Sequence, residues 1–557
     1  MKLGAFTFLL HSHIPYCRQA GRWPHGEEWL HEAASETYLP LLLALLSLRS
    51  RGVHFRLTIT MTPVLLDQLA DPLIRQHLEE FLKDKARRAE EDIERLEKEE
   101  HRAPLALFYR ERFQGLLEGF HFVGGDLVGG FRRLQEEGYI EVVASAATHA
   151  YLPLLERDSS IFAQLRTGVE GYRHHFGREP RSLWLPECGY RPGFFSGEGA
   201  KAYVKPGLEA SLEKQGIKLF FVETHLIEGG EPVGKARGAV VGPYGDIARR
   251  FLVPLPAYRE PTLKSTYLPY WVWGAPVAAI GRNNRTGMQV WSADWGYPGD
   301  FRYREFHKKD GVSGLQYWKV TGARLDLAYK DPYRPEEARQ AVREHSEHYS
   351  ALVEELLASF HRETGHYGII SAAYDTELFG HWWFEGIEWL SQVLEKLSRS
   401  SVVEMTTASS YLEAHPPEDA LALPEGSWGQ AGGHFTWDNA ETSWVWPLIH
   451  EAERRMEGLV ARHPQAQGPL LEVLSQAGRE LLLLQSSDWP FLITTGQARE
   501  YATLRFQEHL QRFSSLARMA EAGEIGEPDL HLCRELWERD KVFSHLDYHH
   551  FEEREGR

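Results

Sequence analysis

Two carboxylates of the sequence, Glu187 and Asp375, each follow an apolar run and have aromatic neighbours. Glu187 lies in WLPECGY (184–190), where Gly189 interrupts the chain after an apolar run. Asp375 lies in AYDTELFGHWW (373–383), again directly after an apolar run. Cleavage of a glycosidic bond needs two facing carboxyl groups, one to attack or to activate water and one to protonate the leaving oxygen. The types and placements of Glu187 and Asp375 therefore predict a sugar-cleaving pair.

Aromatic neighbours would stack on sugar rings and form a low-dielectric wall that raises the pKa of the acid. Spacing alone does not decide the second carboxylate, because Glu223, Asp294, Glu377 and Asp488 compete for that role. Any strand-end carboxylate can also cap a helix or form a salt bridge.

Three histidines, His11, His13 and His149, offer a different chemistry. Residues two apart in an extended chain share a face, so His11 and His13 are expected to project together. With a carboxylate, such a set could bind the metal of a deacetylase or amidohydrolase. The same imidazoles could instead donate hydrogen bonds to substrate hydroxyls or lie satisfied in a barrel mouth. The metal interpretation is less favoured, because histidines two residues apart are common.

The three cysteines, Cys17, Cys188 and Cys533, are too few and too scattered for a disulfide framework or a four-ligand zinc site. Cys188 adjoins Glu187, but no ordered Cys, His and Asn arrangement accompanies it, so we expect it to pack rather than react. A reducing, cytoplasmic setting fits best, and the N-terminal apolar segment has no small-residue cleavage site.

The elements that must position these residues are strands that end in polar side chains. Strands are predicted at Gly4–Leu10, Phe55–Met61, Tyr139–Ala144, Ser182–Pro186, Lys218–Val222, Met288–Trp291, Gly368–Ala373 and Val402–Met405. Between most of them lie segments of helical period. About seven such units predict a parallel α/β barrel whose active site lies at the carboxyl ends of the strands.

Three regions are expected: the barrel (1–75 and 129–407), an inserted helical subdomain (76–128) and a C-terminal helical domain (408–557). The insertion is predicted from apolar residues at intervals of three to four within a highly charged stretch. An ordinary surface helix of the main domain explains that stretch equally well. Two long aperiodic segments, 229–246 and 254–284, are expected to be lids or binding loops.

The composition limits the classes of partner. Of the 557 residues, 43% are hydrophobic and 25% are charged, as in soluble globular proteins. The net charge of −17 argues against a nucleic-acid partner. The longest apolar run, 39–48, is far shorter than the roughly 20 residues that cross a bilayer. The aromatic content of 12% favours ring faces offered to a ligand.

Five ordered stretches of the chain together resemble the motifs of glycoside hydrolase family 57. They are HSHIPY (11–16), ATHAYLP (147–153), WLPECGY (184–190), DTELFGHWW (375–383) and SSDWPF (486–491). Among the members of the family, the chain is most similar to those that introduce branches into α-1,4-glucans. The resemblance covers nearly the whole chain.

The resemblance implies a (β/α)7 barrel with an inserted helical subdomain and an all-helical C-terminal domain. It implies that Glu187 is the nucleophile and Asp375 the general acid and base, with no metal or cofactor. The expected partner is an α-glucan such as amylose, glycogen or a starch-like polymer, and the expected assembly is a monomer or small homo-oligomer. The residues expected to line the glucan groove are His11, His13, Trp23, His149, Tyr244, Trp291, His381, Trp428, Trp437 and Asp488.

One departure from the family pattern concerns the loop at 229–246. In branching members a tyrosine on this loop covers the acceptor and excludes water, but Tyr244 lies near the end of the loop, beside Pro243 and Gly245. If it does not reach the site, hydrolysis should increase relative to branching. An α-amylase or a 4-α-glucanotransferase of the same family, and a catalytically inactive glucan-binding protein, are the remaining alternatives. A retaining mechanism requires carboxyl groups about 5 to 5.5 Å apart.

Overall fold

The computed structural model describes residues 2–196, 203–232, 259–292, 295–322 and 324–554, with the backbone at 241–242 and 245–246. Its strands are β1 (Gly4–Ser12), β2 (Leu57–Met61), β3 (Ile140–Ser145), β4 (Ser182–Trp184), β5 (Phe194–Ser196), β6 (Tyr203–Lys205), β7 (Leu219–Val222), β8 (Val241–Gly242), β9 (Gly245–Asp246), β10 (Tyr270–Val272), β11 (Ala278–Gly281), β12 (Gly368–Asp375), β13 (Val403–Met405) and β14 (Ala420–Leu421).

Its helices up to the last barrel strands are α1 (Glu27–Ala33), α2 (Leu39–Ser50), α3 (Pro63–Ala70), α4 (Pro72–Arg95), α5 (Ala103–Phe122), α6 (Leu127–Glu136), α7 (Asp158–Phe176), α8 (Leu208–Lys214), α9 (Thr224–Glu228), α10 (Asn284–Trp291), α11 (Pro335–Thr364) and α12 (Gly386–Ser398). The later helices are α13 (Ala408–Ala414), α14 (Val445–Arg462), α15 (Pro469–Leu484), α16 (Asp488–Thr495), α17 (Arg499–Ala522) and α18 (Glu527–Arg539). A π-helix, Ala34–Tyr38, joins α1 to α2.

Seven parallel strands form the central sheet in the order β12-β1-β2-β3-β4-β7-β11. β13 adds to β1 in the same direction, and β10 pairs antiparallel with β11. The sheet curls, so that the Asn283 amide just beyond β11 donates to the Ser371 carbonyl of β12 at 2.9 Å. The predicted (β/α)7 architecture, with helical segments inserted into it and following it, is confirmed.

The sequences of the strands are continuous apolar runs because helices cover the sheet. All nine residues of β1 and all five of β2 are buried. Parallel sheets are covered on both faces, so their strands lose the alternation of half-exposed strands. β1 continues through His11 to Ser12, and β12 continues to Asp375 itself. Both extensions bring predicted site residues into the hydrogen-bonded ladder.

One strand prediction was wrong. Residues 288–291 belong to α10, whose first turn is capped by the Asn283 side chain, which accepts from the Thr286 amide at 3.0 Å. The strand in this part of the sheet is β11, which lies inside the segment predicted to be irregular, as does β10. A strand of Ala-Ala-Ile-Gly has little β propensity, and burial between neighbouring strands decides its conformation instead.

Two long helices, α4 and α5, pack against each other over most of the segment predicted as an insertion. Asp71 caps α4, because its carboxylate accepts from the Leu73 and Ile74 amides. Asp310, from the segment before α11, forms ion pairs with Arg95 and Arg102 on this hairpin. The exact boundaries 76 and 128 stay a prediction.

Helices dominate the chain after β13. α15 packs on α14, α17 and α18, and its leucine-rich face is buried. The two-residue strand β14, paired with β10, departs from the prediction that strands end near residue 408. In the part of the chain described, no helix has both the length and the apolar character needed to cross a membrane.

Candidate active site

The candidate site lies at the carboxyl edge of the parallel sheet. His11 in β1 pairs in register with Asp375, the last residue of β12. β3 leads into the turn that contains His149, and β4 leads into the turn that contains Glu187. Because neighbouring parallel strands end at the same edge, the structure brings these four side chains to one place.

Glu187 lies in a tight, left-handed turn. Its φ and ψ are 62° and 21°, and Cys188 has a φ of 50°. Such conformations cost non-glycine residues about 1 to 3 kcal/mol each and persist only where the surroundings hold them. The Cys188 amide donates to the Leu185 carbonyl at 2.9 Å, and the Trp428 amide donates to the Glu187 carbonyl at 3.0 Å. The turn is therefore held from within and from the segment beyond β14.

Trp428 also orients the Glu187 carboxylate. The indole Nε1 donates to Glu187 Oε2 at 2.6 Å. Glu187 Oε1 lies 3.9 Å from His149 Nδ1, and the Glu187 side chain is 15% exposed. A carboxylate that is oriented by a hydrogen bond and partly open to solvent can be reached by a substrate.

Asp375 is positioned by its strand and by the turn that follows. A 3₁₀ turn, Thr376–Leu378, begins directly after it. The Thr376 and Ser12 hydroxyl oxygens lie 2.8 Å apart and join this turn to the end of β1. Asp375 itself is partly exposed. The backbone of Asp375 is therefore held by β12 and by the turn that follows it.

Two of the competing carboxylates, Glu223 and Glu377, are held by other partners. Glu223 is fully buried and faces the Arg282 guanidinium at 3.3 Å. Glu377 is buried, and its Oε1 accepts from the His13 amide at 3.1 Å and from the Tyr38 hydroxyl. Burial and the charge of Asp375 raise the pKa of Glu377 to about 7, although the Tyr38 hydrogen bond opposes the rise. Asp294 lies outside the described residues.

The three histidines form a stack on Trp184. The His11 and Trp184 ring centroids are 4.7 Å apart, and those of His13 and His149 are 4.0 Å apart. The His11 and His149 Nε2 atoms lie 3.0 Å apart. The expected common face of His11 and His13 is thus confirmed, and the stack forms a flat wall with polar ring edges beside Glu187.

The C-terminal helical region holds two of these imidazoles. Asp488 accepts from His13 Nε2 at 3.0 Å, and the Ser487 hydroxyl lies 2.9 Å from His149 Nδ1. Burial opposes protonation of His13, but the charge and hydrogen bond of Asp488 outweigh it and raise the pKa of His13. Burial, with His13 and His11 as neighbours, lowers the pKa of His149 well below its usual value. The two neighbouring imidazoles therefore differ in how readily they are protonated, His13 more readily than His149.

Both ring nitrogens of His13 make contacts that a metal would have to replace. His13 Nδ1 lies 3.0 Å from the Thr62 hydroxyl, and its Nε2 faces Asp488. Within the described ranges, three His, Asp or Glu ligand atoms converge to within 4.8 Å only at Glu480, His509 and Asp540, in the helical region. The metal-hydrolase interpretation gains no support from the geometry of the strand-end histidines.

His381 and Trp291 are two further residues predicted to line the groove. His381 Nδ1 donates to Glu36 Oε2 at 2.6 Å. Trp291 ends α10, and its ring centroid lies 6.4 Å from that of Trp382. Both residues are partly exposed, as groove-lining side chains should be.

Two predicted tryptophans are placed differently from each other. Trp23 is 79% exposed, so its ring faces solvent rather than the histidine stack. Trp437 is almost fully buried and stacks on Tyr151, with ring centroids 4.0 Å apart. Tyr151 in turn packs on Gly189. Trp437 thus supports the Glu187 turn from behind. Tyr244 lies outside the described residues.

Some residues of the site escaped the sequence analysis. Thr62 follows β2 directly and could have been found, since it is a polar residue at a strand end. Ser487 lies within SSDWPF, where the motif by itself predicts no role for it, and its hydroxyl contacts His149. Glu36 and Tyr38 lie inside a helical segment, where no local pattern indicates that they reach another motif.

Known proteins share this architecture over nearly the whole of this chain. The chain is 46% identical over 543 residues to the 1,4-alpha-glucan branching enzyme of Thermococcus kodakarensis, covering 97% of this chain and 77% of that protein. The crystal structure of that enzyme, solved with glucose and additives, superposes with a TM-score of 0.90 at 44% identity and covers 99% of this chain and 96% of the solved one.

Two further crystal structures resemble the chain over its full length. The branching enzyme of Pyrococcus horikoshii has a TM-score of 0.87 at 44% identity, with 100% of this chain and 98% of that chain covered. The alpha-amylase AmyC of Thermotoga maritima has a TM-score of 0.81 at 30% identity, with 99% of each chain covered.

Two family models match separate parts of the sequence. The model described as 1,4-alpha-glucan branching enzyme, C-terminal, matches residues 448–551. The model described as glycosyl hydrolase family 57 matches residues 7–424, about three quarters of the chain. The chain therefore belongs to glycosyl hydrolase family 57.

Proposed function

We propose that this chain is a 1,4-α-glucan branching enzyme that uses a retaining mechanism. The observation that carries the proposal is the placement of Glu187 and Asp375 at one edge of one parallel sheet, linked through His11 and His149. The match of residues 448–551 to the C-terminal region of branching enzymes supports the reaction type.

In the first half-reaction, a Glu187 oxygen attacks the anomeric carbon of an α-1,4 bond. As that carbon–oxygen bond breaks, Asp375 gives its proton to the departing 4-oxygen. The Trp428 indole donates to Glu187 Oε2 and orients the carboxylate for this attack. The product is a glycosyl ester of Glu187 and a shortened glucan with a free 4-hydroxyl.

In the second half-reaction, the acceptor replaces the ester. Asp375, now a carboxylate, takes the proton from the 6-hydroxyl of a glucan, whose oxygen bonds to the anomeric carbon and releases Glu187. Water in the same position gives hydrolysis. We assign the choice between them to the loop that contains Tyr244.

The remaining predicted residues bind the glucan in this proposal. The histidine stack contacts sugar hydroxyls through ring nitrogens, His381 and Trp291 act further along the groove, and Trp23 contacts the polymer from the surface. Trp437 contributes by supporting the Glu187 turn. The reaction needs no cofactor, and the substrate is an α-glucan such as amylose or glycogen. We further propose a cytoplasmic monomer or small homo-oligomer.

Linkage analysis tests the reaction. Purified protein is incubated with amylose, and the product is treated with a debranching enzyme before chain lengths and reducing ends are measured. We expect new α-1,6-linked chains from the wild type and no products from Glu187→Gln, while Glu363→Gln, on the exposed end of α11, should match the wild type. Reducing ends without new branches would refute branching.

An α-amylase is the second candidate, because the Thermotoga maritima alpha-amylase superposes over 99% of this chain. It shares the first half-reaction and differs in the acceptor. The ratio of new branches to new reducing ends in the same experiment separates the two functions.

A further inference from the structure

The helix between β1 and β2 contains an irregular turn beside the candidate site. At Ala34–Tyr38 the helix widens into a π-helix, in which the Leu39 amide donates to the Ala34 carbonyl. Pro40 explains the widening, because it has no amide proton for the Glu36 carbonyl and its ring would clash with that group in an α-helix. π turns are rare and are often found at functional sites.

Three contacts join this π-helix to the segment just after Asp375. The Tyr38 hydroxyl donates to Glu377 Oε1. His381 Nδ1 donates to Glu36 Oε2 at 2.6 Å. Between these two, Gly380 has a φ of 100°, and a β-carbon on it would collide with the Glu36 carbonyl oxygen. The backbone of the turn thus packs directly on the Glu36 carbonyl, the group to which Pro40 cannot donate.

The segment 377–381 is also closed on itself and tied to β1. The Trp382 amide donates to the Glu377 carbonyl at 3.2 Å. Glu377 Oε1 accepts from the His13 amide as well as from Tyr38. A single carboxylate oxygen therefore connects the π-helix, the end of β1 and the turn that follows Asp375.

We propose that the π-helix Ala34–Tyr38 positions Asp375 for proton transfer, with Tyr38 acting through Glu377 and Glu36 acting through His381. The inference rests on the proposed role of Asp375 as general acid and base. Tyr38, Glu36 and Glu377 are positioning residues, and each acts as the donor or acceptor of a hydrogen bond that fixes the turn.

The electrostatics of the two contacts fit a structural clamp. The His381 hydrogen bond and the Arg304 guanidinium keep the pKa of Glu36 well below its usual value in spite of burial, so Glu36 stays a carboxylate and a strong acceptor. Glu377, with a pKa of about 7, accepts the Tyr38 and His13 hydrogen bonds in either protonation state through the same oxygen.

Paired substitutions that keep or delete each hydrogen bond test the inference. The rate of amylose consumption is measured, because it reports the first half-reaction whichever acceptor follows. Glu377→Gln and Glu36→Gln retain an acceptor oxygen and should keep kcat within about threefold. Glu377→Leu, Glu36→Leu and Tyr38→Phe delete a bond and should lower kcat by about 10- to 100-fold with KM nearly unchanged, since small displacements of a reacting group cost that much.

A matched control removes a tyrosine hydroxyl at another position. Tyr317 is fully buried and donates to the Asp92 carboxylate of α4 at 2.6 Å. Tyr317→Phe should leave kcat unchanged. All rates are referred to folded protein, measured by near-UV circular dichroism at the assay temperature.

Each result has a defined meaning. Full kcat in Tyr38→Phe and Glu36→Leu would overturn the inference, as would complete loss of activity in Glu377→Gln, which would place Glu377 in the chemistry itself. Asp375→Asn tests the proposed function separately. If that variant is active, the role of Asp375 is wrong; if it is inactive while the deletion variants are fully active, only the positioning role is wrong.

Discussion

A single indole hydrogen bond orients the carboxylate that we propose as the nucleophile. Trp428 Nε1 lies 2.6 Å from Glu187 Oε2, and its backbone amide also holds the Glu187 carbonyl. A hydrogen bond to a charged group contributes about 1.5 to 3 kcal/mol. The side-chain bond orients the carboxylate, while the backbone bond holds the strained turn in place.

Trp428→Phe should lower kcat by roughly 10- to 100-fold, because it removes the donor and keeps most of the ring. Steady-state rates on amylose measure this. Trp389→Phe is the control, since Trp389 is fully buried in the barrel and its Nε1 has no hydrogen-bond acceptor among the described residues. If both variants lose activity equally, the effect comes from packing and not from the hydrogen bond.

The His13 and Asp488 pair should make stability depend on pH. Asp488 raises the pKa of His13 in the folded protein above the ordinary 6.5. The pair therefore stabilises the folded state fully below about pH 6.5, and this contribution is lost as pH rises through the folded pKa. Asp488→Asn should lower the free energy of unfolding by about 1 to 3 kcal/mol at acidic pH and by much less near pH 9.

Chemical denaturation at both pH values checks this prediction. Asp547→Asn is the control, because its partner His549 is 41% exposed and an exposed pair contributes little. An equal loss of stability for Asp488→Asn at acidic and alkaline pH would show that protonation of His13 is not involved.

At the level of single elements, β4 is short and the turn after it is unusually constrained. β4 has three residues, and the following turn is paired with the segment beyond β14 through reciprocal Tyr190 and Gly426 hydrogen bonds of 2.8 and 3.1 Å. Gly189 packs so closely on the Tyr151 ring that an added β-carbon would lie 2.7 Å from it. Glu187, the proposed nucleophile, therefore lies in a tightly packed turn.

Gly189→Ala should displace this turn, destabilising the protein by about 1 to 3 kcal/mol and lowering activity more than stability. Thermal unfolding and amylose turnover measure the two effects. Gly458→Ala is the control, since a β-carbon there meets nothing within 4 Å in the middle of α14. That change should leave activity intact and stabilise the helix slightly. Normal activity in Gly189→Ala would show that the turn adapts.

At the scale of the whole molecule, the helical region and the barrel share one site. Ser487 and Asp488 hold histidines of the barrel, and the Thr148 hydroxyl donates to the Leu482 carbonyl at 2.5 Å. At the C-terminal end of α18, the Glu538 and Arg539 carbonyls accept from Arg18 Nη1, while Arg18 Nε pairs with Asp71 at 3.0 Å. We therefore expect the two regions to unfold together.

Arg18→Met should destabilise the protein by about 3 to 5 kcal/mol, because it leaves the buried Asp71 carboxylate unpaired. Calorimetry and residual activity after heating should shift downward together as one transition. Arg51→Met removes an ion pair in which Arg51 is 50% exposed, and we expect almost no change. Two separate transitions, with activity following only one, would contradict a shared site.

From the sequence alone, most strands of the sheet and their polar ends could be predicted, and Glu187 and Asp375 could be named as candidates for a catalytic pair. Apolar runs that end in polar residues are a local signal, because burial on both faces of a parallel sheet removes alternation. The same signal failed at residues 288–291, because a helix can have the same apolar composition as a strand. It also failed at β11, whose four residues form a strand only between neighbouring strands.

Only the tertiary structure decided which carboxylates are available and how they are held. Arg282 neutralises Glu223, and Tyr38 engages Glu377 across 339 positions, while Trp428 reaches Glu187 across 241 positions. Such contacts leave no periodicity in the sequence, because they form between residues that approach only when the sheet has curled. The residue types set the chemistry that is possible, and long-range packing decides how each of these carboxylates is held.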